Sequence, residues 1–176
     1  MSESTHRYHT RLTWTGNLGS GTSGYRAYSR NHELNGEGKA ASIAGSSDPT
    51  FRGDRTRYNP EELLLGALSS CHMLALLHLC ADAGIVVTNY ADEAEAEMRE
   101  NPDGSGEFTR ATLRPRMVIT DAARIDEATA LHHRAHELCF IARSVNFPVE
   151  CEAVVTAPGK ALNALKSVSG NTPPTV

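Results

Sequence analysis

One run limits what this chain can become: residues 63–81, LLLGALSSCHMLALLHLCA, carry apolar side chains on nearly every side of a helical wheel. Such a helix must be covered on most of its faces, because a surface helix keeps its apolar positions to one stripe. Asn59, Pro60, Glu61 and Glu62 mark its start. Asparagine can cap free backbone amides, proline suits the first turn, and the acids meet the positive end of the helix. Gly84 supplies a stop, so the expected helix spans 59–83. Gly66, Ala67, Ser69 and Ser70 leave room along it for another backbone to come close.

Residues 8–15 alternate, with Tyr8, Thr10, Leu12 and Trp14 on one side, and read as a strand ended by a glycine-rich turn. Further strands fit 25–34 and 39–44, and the segment 45–58, GSSDPTFRGDRTRY, reads as a functional or mobile loop. Two long strands, 85–100 and 107–120, are joined by NPDGSG. Glu93, Glu95 and Glu97 on one should pair with Arg110, Arg114 and Arg116 on the other, marking a solvated sheet face. A second helix over 121–141 and a closing strand over 148–156 complete the order βββ-α-ββ-α-β, an α+β arrangement. A single domain over 1–157 is expected, followed by a flexible tail over 158–176.

Seventeen basic against twenty-one acidic side chains leave a net charge of −4, which offers a polyanion no field to follow; nucleic acid is not an expected partner. The polar start MSESTHRY lacks the features of a secretory signal, and no unbroken apolar run approaches the roughly 18 residues of a membrane span. A cytoplasmic chain without a membrane partner is the expectation. Cys71, Cys80, Cys139 and Cys151 are widely spaced and contain no CxxC pair, so they should be thiols in a reducing compartment.

Cys71 lies in NPEELLLGALSSCHMLAL and Cys139 in AHELCFIARSVNFPV. Each alone reads as a small core hydrophobe. Together, with Cys71 ten residues after Glu61 and Cys139 a further 68 on, the chain resembles the OsmC/Ohr family of thiol-dependent peroxidases over residues 8–156. The resemblance implies two chains intertwined as a homodimer, long central helices packed on sheets, active sites at the subunit interface, and reduction of organic hydroperoxides. It implies Cys71 as the peroxidatic thiol, Cys139 as the resolving thiol, and Glu61 as the acid that holds an arginine near the thiolate. Where the family's arginine aligns, this chain has Ser23 or Thr50; Arg52 is the first substitute, Arg26 the second, and Arg55 and Arg57 lie close in sequence. No flavin, haem or nicotinamide motif appears, so no cofactor is expected. The electrons would come from an external dithiol or a lipoylated reductant.

A free thiol ionises near ~8.5 and burial raises that value, so a peroxidatic cysteine in such a helix needs a cation. The helix dipole fades beyond its first turn. Ten residues of straight helix separate Glu61 from Cys71 by ~15 Å, which a long arginine or an antiparallel partner helix packed near Gly66 could span. His132, His136 and Cys139 share one helical face, with His72 and His78 on the other helix, and these are soft ligand types. No compact four-ligand motif exists, so no metal is expected. The alternative to an enzyme is a non-enzymatic small-molecule or metal-binding module on the same fold. Whether Cys71 and Cys139 meet in space separates the two readings.

Overall fold

The computed structural model describes residues 5–158, so the expected tail after Pro158 lies outside the described residues. The chain divides into two compact units, with the boundary after Leu64.

In the first unit, β1 (Arg11–Trp14), β2 (His32–Asn35) and β3 (Ile43–Gly45) form an antiparallel sheet in that order. The strand expected over 25–34 survives only at its end. The Arg30 guanidinium lies 4.3 Å from the ring centroids of both Tyr25 and Tyr28. It also donates to their carbonyls at 2.9 and 2.8 Å. These cation–π contacts and charge-assisted bonds hold residues 25–30 in a turn. Arg26 therefore stands on a turn and not on a strand. Gly16 is required where it is, because a Cβ there would fall 1.9 Å from the Ser29 carbonyl oxygen. The segment 45–58 is held by its own bonds: Asp48 caps a 3-10 turn over Pro49–Phe51, and the Asp54 amide donates to Ser46 Oγ at 3.1 Å.

Helix α1 (Pro60–Asp82) begins with a reciprocal cap. The Glu62 amide donates to Asn59 Oδ1 at 2.7 Å and the Asn59 amide donates to Glu62 Oε2 at 3.0 Å. It ends where Gly84 turns left-handed (φ 68°) and the Ile85 amide reaches back to the Cys80 carbonyl at 2.8 Å.

The second unit contains β4 (Val87–Asp92), β5 (Glu95–Glu100), β6 (Gly106–Leu113), β7 (Pro115–Ile119), α2 (Ile125–Leu138), β8 (Val149–Cys151) and β9 (Val154–Thr156). Two sheets result, β4-β7-β9 and β5-β6-β8, each with one antiparallel and one parallel pairing. The two long strands and the closing strand expected here are each broken in two. Pro115 interrupts one strand, and the side chains around the break occupy the backbone and each other. Asp92 Oδ1 accepts from the Arg114 amide at 2.7 Å, while the Arg114 guanidinium holds Glu95 at 2.5 Å and Glu152 at 2.9 Å. Of the expected cross-strand charges, Arg110 pairs with Glu97 at 2.6 Å and Arg114 with Glu95; Arg99 with Glu107 at 2.7 Å joins them. The second helix is shorter than expected, ending at Leu138 before a 3-10 turn over Ala142–Ser144.

Within the chain α1 buries one stripe, Leu68, His72, Leu76 and Cys80, at a spacing of four residues. The expected all-round burial is not met by this chain alone, since Leu74 remains 63% exposed. By length and mean hydropathy, 23 residues and 1.8, α1 is long and apolar enough to cross a membrane, although its sequence run is interrupted by polar residues. Leu76 and Cys80 pack with Met117, Ile119, Ala128 and Ala135, and Leu68 packs with Ala111 and Leu113.

Candidate active site

Helix α2 buries Ala128, His132 and Ala135, and the same stripe continues to Cys139, which ends the helix in an extended conformation. There its sulfur accepts a hydrogen bond from the Ala142 amide at 3.4 Å. Cys71 sits one residue before the buried His72 on α1, about 100° around the helix and half-buried. The two elements bring Cys71 close enough to Cys139 to act on its thiol. Burial first, and the neighbouring Cys71 thiol second, push the Cys139 thiol up to about 11. Both cysteines are free thiols.

Cys71 opens on a cavity of about 590 Å³ whose walls include Ala67, Leu74, Leu138, Phe140 and Ile141. Its lining is almost wholly apolar, and Phe140 and Leu74 at its edge are 71% and 63% exposed. A ligand with an alkyl body suits such walls.

The other residues singled out from the sequence lie in the first unit. Glu61 is half-buried, and its Oε2 is buried without a hydrogen-bond partner among the described residues. Arg52 is exposed at the end of the 3-10 turn, with a left-handed backbone (φ 66°). Arg26 and Arg55 are exposed, whereas Arg57 is half-buried and committed to Glu33 at 3.0 Å and Asp54 at 3.8 Å.

The histidine grouping expected along α2 is replaced by another. On the buried stripe of α2, His132 meets His72, with His132 Nδ1 and His72 Nε2 at 3.0 Å. Cys151, at the end of β8, brings its sulfur to 3.7 Å from His72 Nε2 and 4.0 Å from His132 Nδ1. Sequence reasoning named His72 and His132 but grouped His132 with His136 and Cys139, and it missed Cys151, because the trio sits on three elements and shares no motif. The one signal was a histidine next to Cys71 in a run otherwise too apolar to explain it.

Burial lowers His132 to about 4, with His72 next in effect, and burial likewise lowers His72. Both rings are therefore neutral in the folded chain at pH 7. Between about 6.5, where the unfolded imidazoles take up protons, and about 4, the unfolded state binds more protons than the folded one, so stability falls as pH falls. The urea midpoint of the metal-free chain should drop across that window, and His132→Asn should flatten the slope. A midpoint constant from pH 7 to pH 4 would contradict the neutral pair.

The family described as OsmC-like protein matches residues 53–154. No curated protein matches the chain. Among solved structures, an OsmC-like protein of unknown function from Vibrio cholerae is 30% identical, with a TM-score of 0.76 over 85% of this chain and 100% of that one. An organic hydroperoxide resistance protein from Elizabethkingia anophelis shares the fold at 16% identity and a TM-score of 0.63, covering 89% of this chain and 99% of that one. The organic hydroperoxide resistance protein OhrB of Bacillus subtilis does so at 18% identity and 0.55, covering 84% and 98%. The match over 53–154, and the 30% identity sustained across a whole relative, establish that this chain belongs to the OsmC-like family, with its α+β fold of two main helices and several strands.

Proposed function

We propose that the chain is a cysteine-based peroxidase that reduces organic hydroperoxides to alcohols. The observation that carries this reading is that Cys71, on the wall of the apolar cavity, lies close enough to Cys139 to act on its thiol. The Cys71 thiolate attacks one oxygen of the peroxide; the sulfur–oxygen bond forms, the oxygen–oxygen bond breaks, and the alkoxide takes a proton and leaves as the alcohol. Cys139 then attacks the sulfenic sulfur as its thiolate, forming a disulfide as hydroxide leaves and is protonated to water. An external dithiol, free or carried by a lipoylated protein, returns two electrons and two protons. The Ala142 amide beside the Cys139 sulfur favours its ionised form against the effect of burial.

Glu61 is the acceptor for an activating guanidinium in this reading, and its unpartnered buried oxygen supports that role. Arg52 is the first donor and Arg26 the second; neither side chain has a partner among the described residues. The chain acts as a homodimer in the cytoplasm, with a second copy covering the apolar side of α1 around Leu74. Titrating free thiols before and after one equivalent of cumene hydroperoxide tests the chemistry, and light scattering on the same sample tests the assembly. The expected result is four thiols per chain falling to two, in a dimeric protein, with Cys71 joined to Cys139. An unchanged thiol count, or a disulfide through Cys80 or Cys151, would overturn the chemistry, and a stable monomer would overturn the assembly.

A further inference from the structure

We propose that His72, His132 and Cys151 form a three-ligand site for a divalent cation of the zinc class, separate from the Cys71–Cys139 pair. The three donor atoms, His72 Nε2, His132 Nδ1 and Cys151 Sγ, already make a triangle with edges of 3.0, 3.7 and 4.0 Å. A zinc ion with nitrogens at about 2.0–2.1 Å and a thiolate at about 2.3 Å holds those donors about 3.3–3.8 Å apart, whether the arrangement is tetrahedral or flattened. The triangle needs adjustments of only a few tenths of an ångström. His72 and His132 are 0% and 3% exposed, so the imidazoles are fixed by packing on α1 and α2. Cys151 is fixed by the pairing of β8 with Leu113 on β6.

Without a cation this arrangement is a costly way to fill an interior. Two neutral imidazoles facing each other can share one hydrogen bond, which requires one ring to donate and the other to accept. The outer nitrogens, His72 Nδ1 and His132 Nε2, are buried without a partner among the described residues. A cation takes up both inner lone pairs together with the sulfur, and each ring then carries its proton on the outer nitrogen. Two imidazoles and one thiolate are a ligand set suited to zinc, and three protein ligands leave a fourth position for water or another donor. A cavity of about 380 Å³ bordered by His132, His136, Cys151 and Glu152 adjoins the trio and can hold that donor. The carboxylate of Asp92, fixed by Ser69 Oγ at 2.5 Å and the Arg114 amide at 2.7 Å, lies close enough to act electrostatically on His72 and Cys151 and adds negative charge near the cation. On binding, Cys151 releases its thiol proton to solvent and no electron moves.

Cobalt(II) is the test probe, added to the reduced, chelator-treated full chain. One Co²⁺ per chain should bind, with thiolate-to-cobalt charge transfer in the near ultraviolet and the visible bands of a four-coordinate ion, and Zn²⁺ should displace it. Cys151→Ser should remove the charge transfer, and His72→Gln should weaken binding by about tenfold or more. The Cys71→Ser, Cys139→Ser double variant should keep the whole spectrum, which separates this site from the peroxidase chemistry. X-ray absorption on the zinc-loaded wild-type chain needs no variant to fold, and one sulfur with two imidazoles is the expected shell. No stoichiometric binding of Co²⁺ or Zn²⁺ at micromolar concentration, charge transfer that survives Cys151→Ser, or a shell with two sulfurs or none would overturn the proposal.

Discussion

Cys71→Ser is expected to remove hydroperoxide turnover, lowering the rate on the order of 10³-fold or more, as loss of a covalent nucleophile does. A serine hydroxyl stays protonated at neutral pH and is a poor nucleophile toward peroxide oxygen, so neither the apolar cavity nor Cys139 can compensate. The fold should survive, because the side chain is only half-buried and differs by one atom. Circular dichroism and the urea midpoint would show that, and a coupled assay with cumene hydroperoxide and dihydrolipoamide would read the activity. A variant retaining a rate within a few-fold of wild type, after repurification, would end the assignment of Cys71 as the peroxidatic residue.

Cys139→Ser should give a defect of a different kind. The first equivalent of peroxide is still consumed, since Cys71 carries the attack. The sulfenic acid then has no partner, and a second peroxide takes it to the sulfinic acid, which a dithiol does not restore. Intact-mass spectrometry after two equivalents should find the variant two oxygens heavier at Cys71, where the wild type is two hydrogens lighter. Turnover should be lost with the burst intact, in contrast to Cys71→Ser, which lacks the burst. Because Cys139 is 1% exposed, the hydroxyl also enters a dry site at a cost on the order of 1 kcal/mol, visible as a lower urea midpoint. A Cys139→Ser chain that turns over as wild type, with its Cys71 unoxidised, would remove Cys139 from the mechanism.

How much of this was legible beforehand depends on the distance over which each feature is set. The start of α1 is a matter of four neighbouring residues: Asn59 and Glu62 exchange backbone bonds within one turn, so the motif read from sequence and the cap in the structure agree. The opposite charges on β5 and β6 follow from strand alternation and one hairpin, and they pair. The strand expected over 25–34 failed because its alternation was outweighed by Arg30, whose two aromatic contacts and two carbonyl bonds form only when the chain turns. The breaks in the long strands depend on Asp92, Arg114 and Glu152, which reach one another only after three strands align.

The sequence by itself determined the family, the helix that carries Cys71, and the choice of Cys71 and Cys139 as the cysteines to watch. Local caps and periodicities act over a few residues and survive in the linear string. Only the tertiary structure decided which side of α1 turns inward, and thereby that His72 is the buried residue while its neighbour Cys71 borders the apolar cavity. It also decided that His132 pairs with His72 and Cys151 and not with Cys139. Partners 60 and 79 positions from His72 are chosen by how two helices and a strand pack together, and that packing leaves no spacing in the sequence.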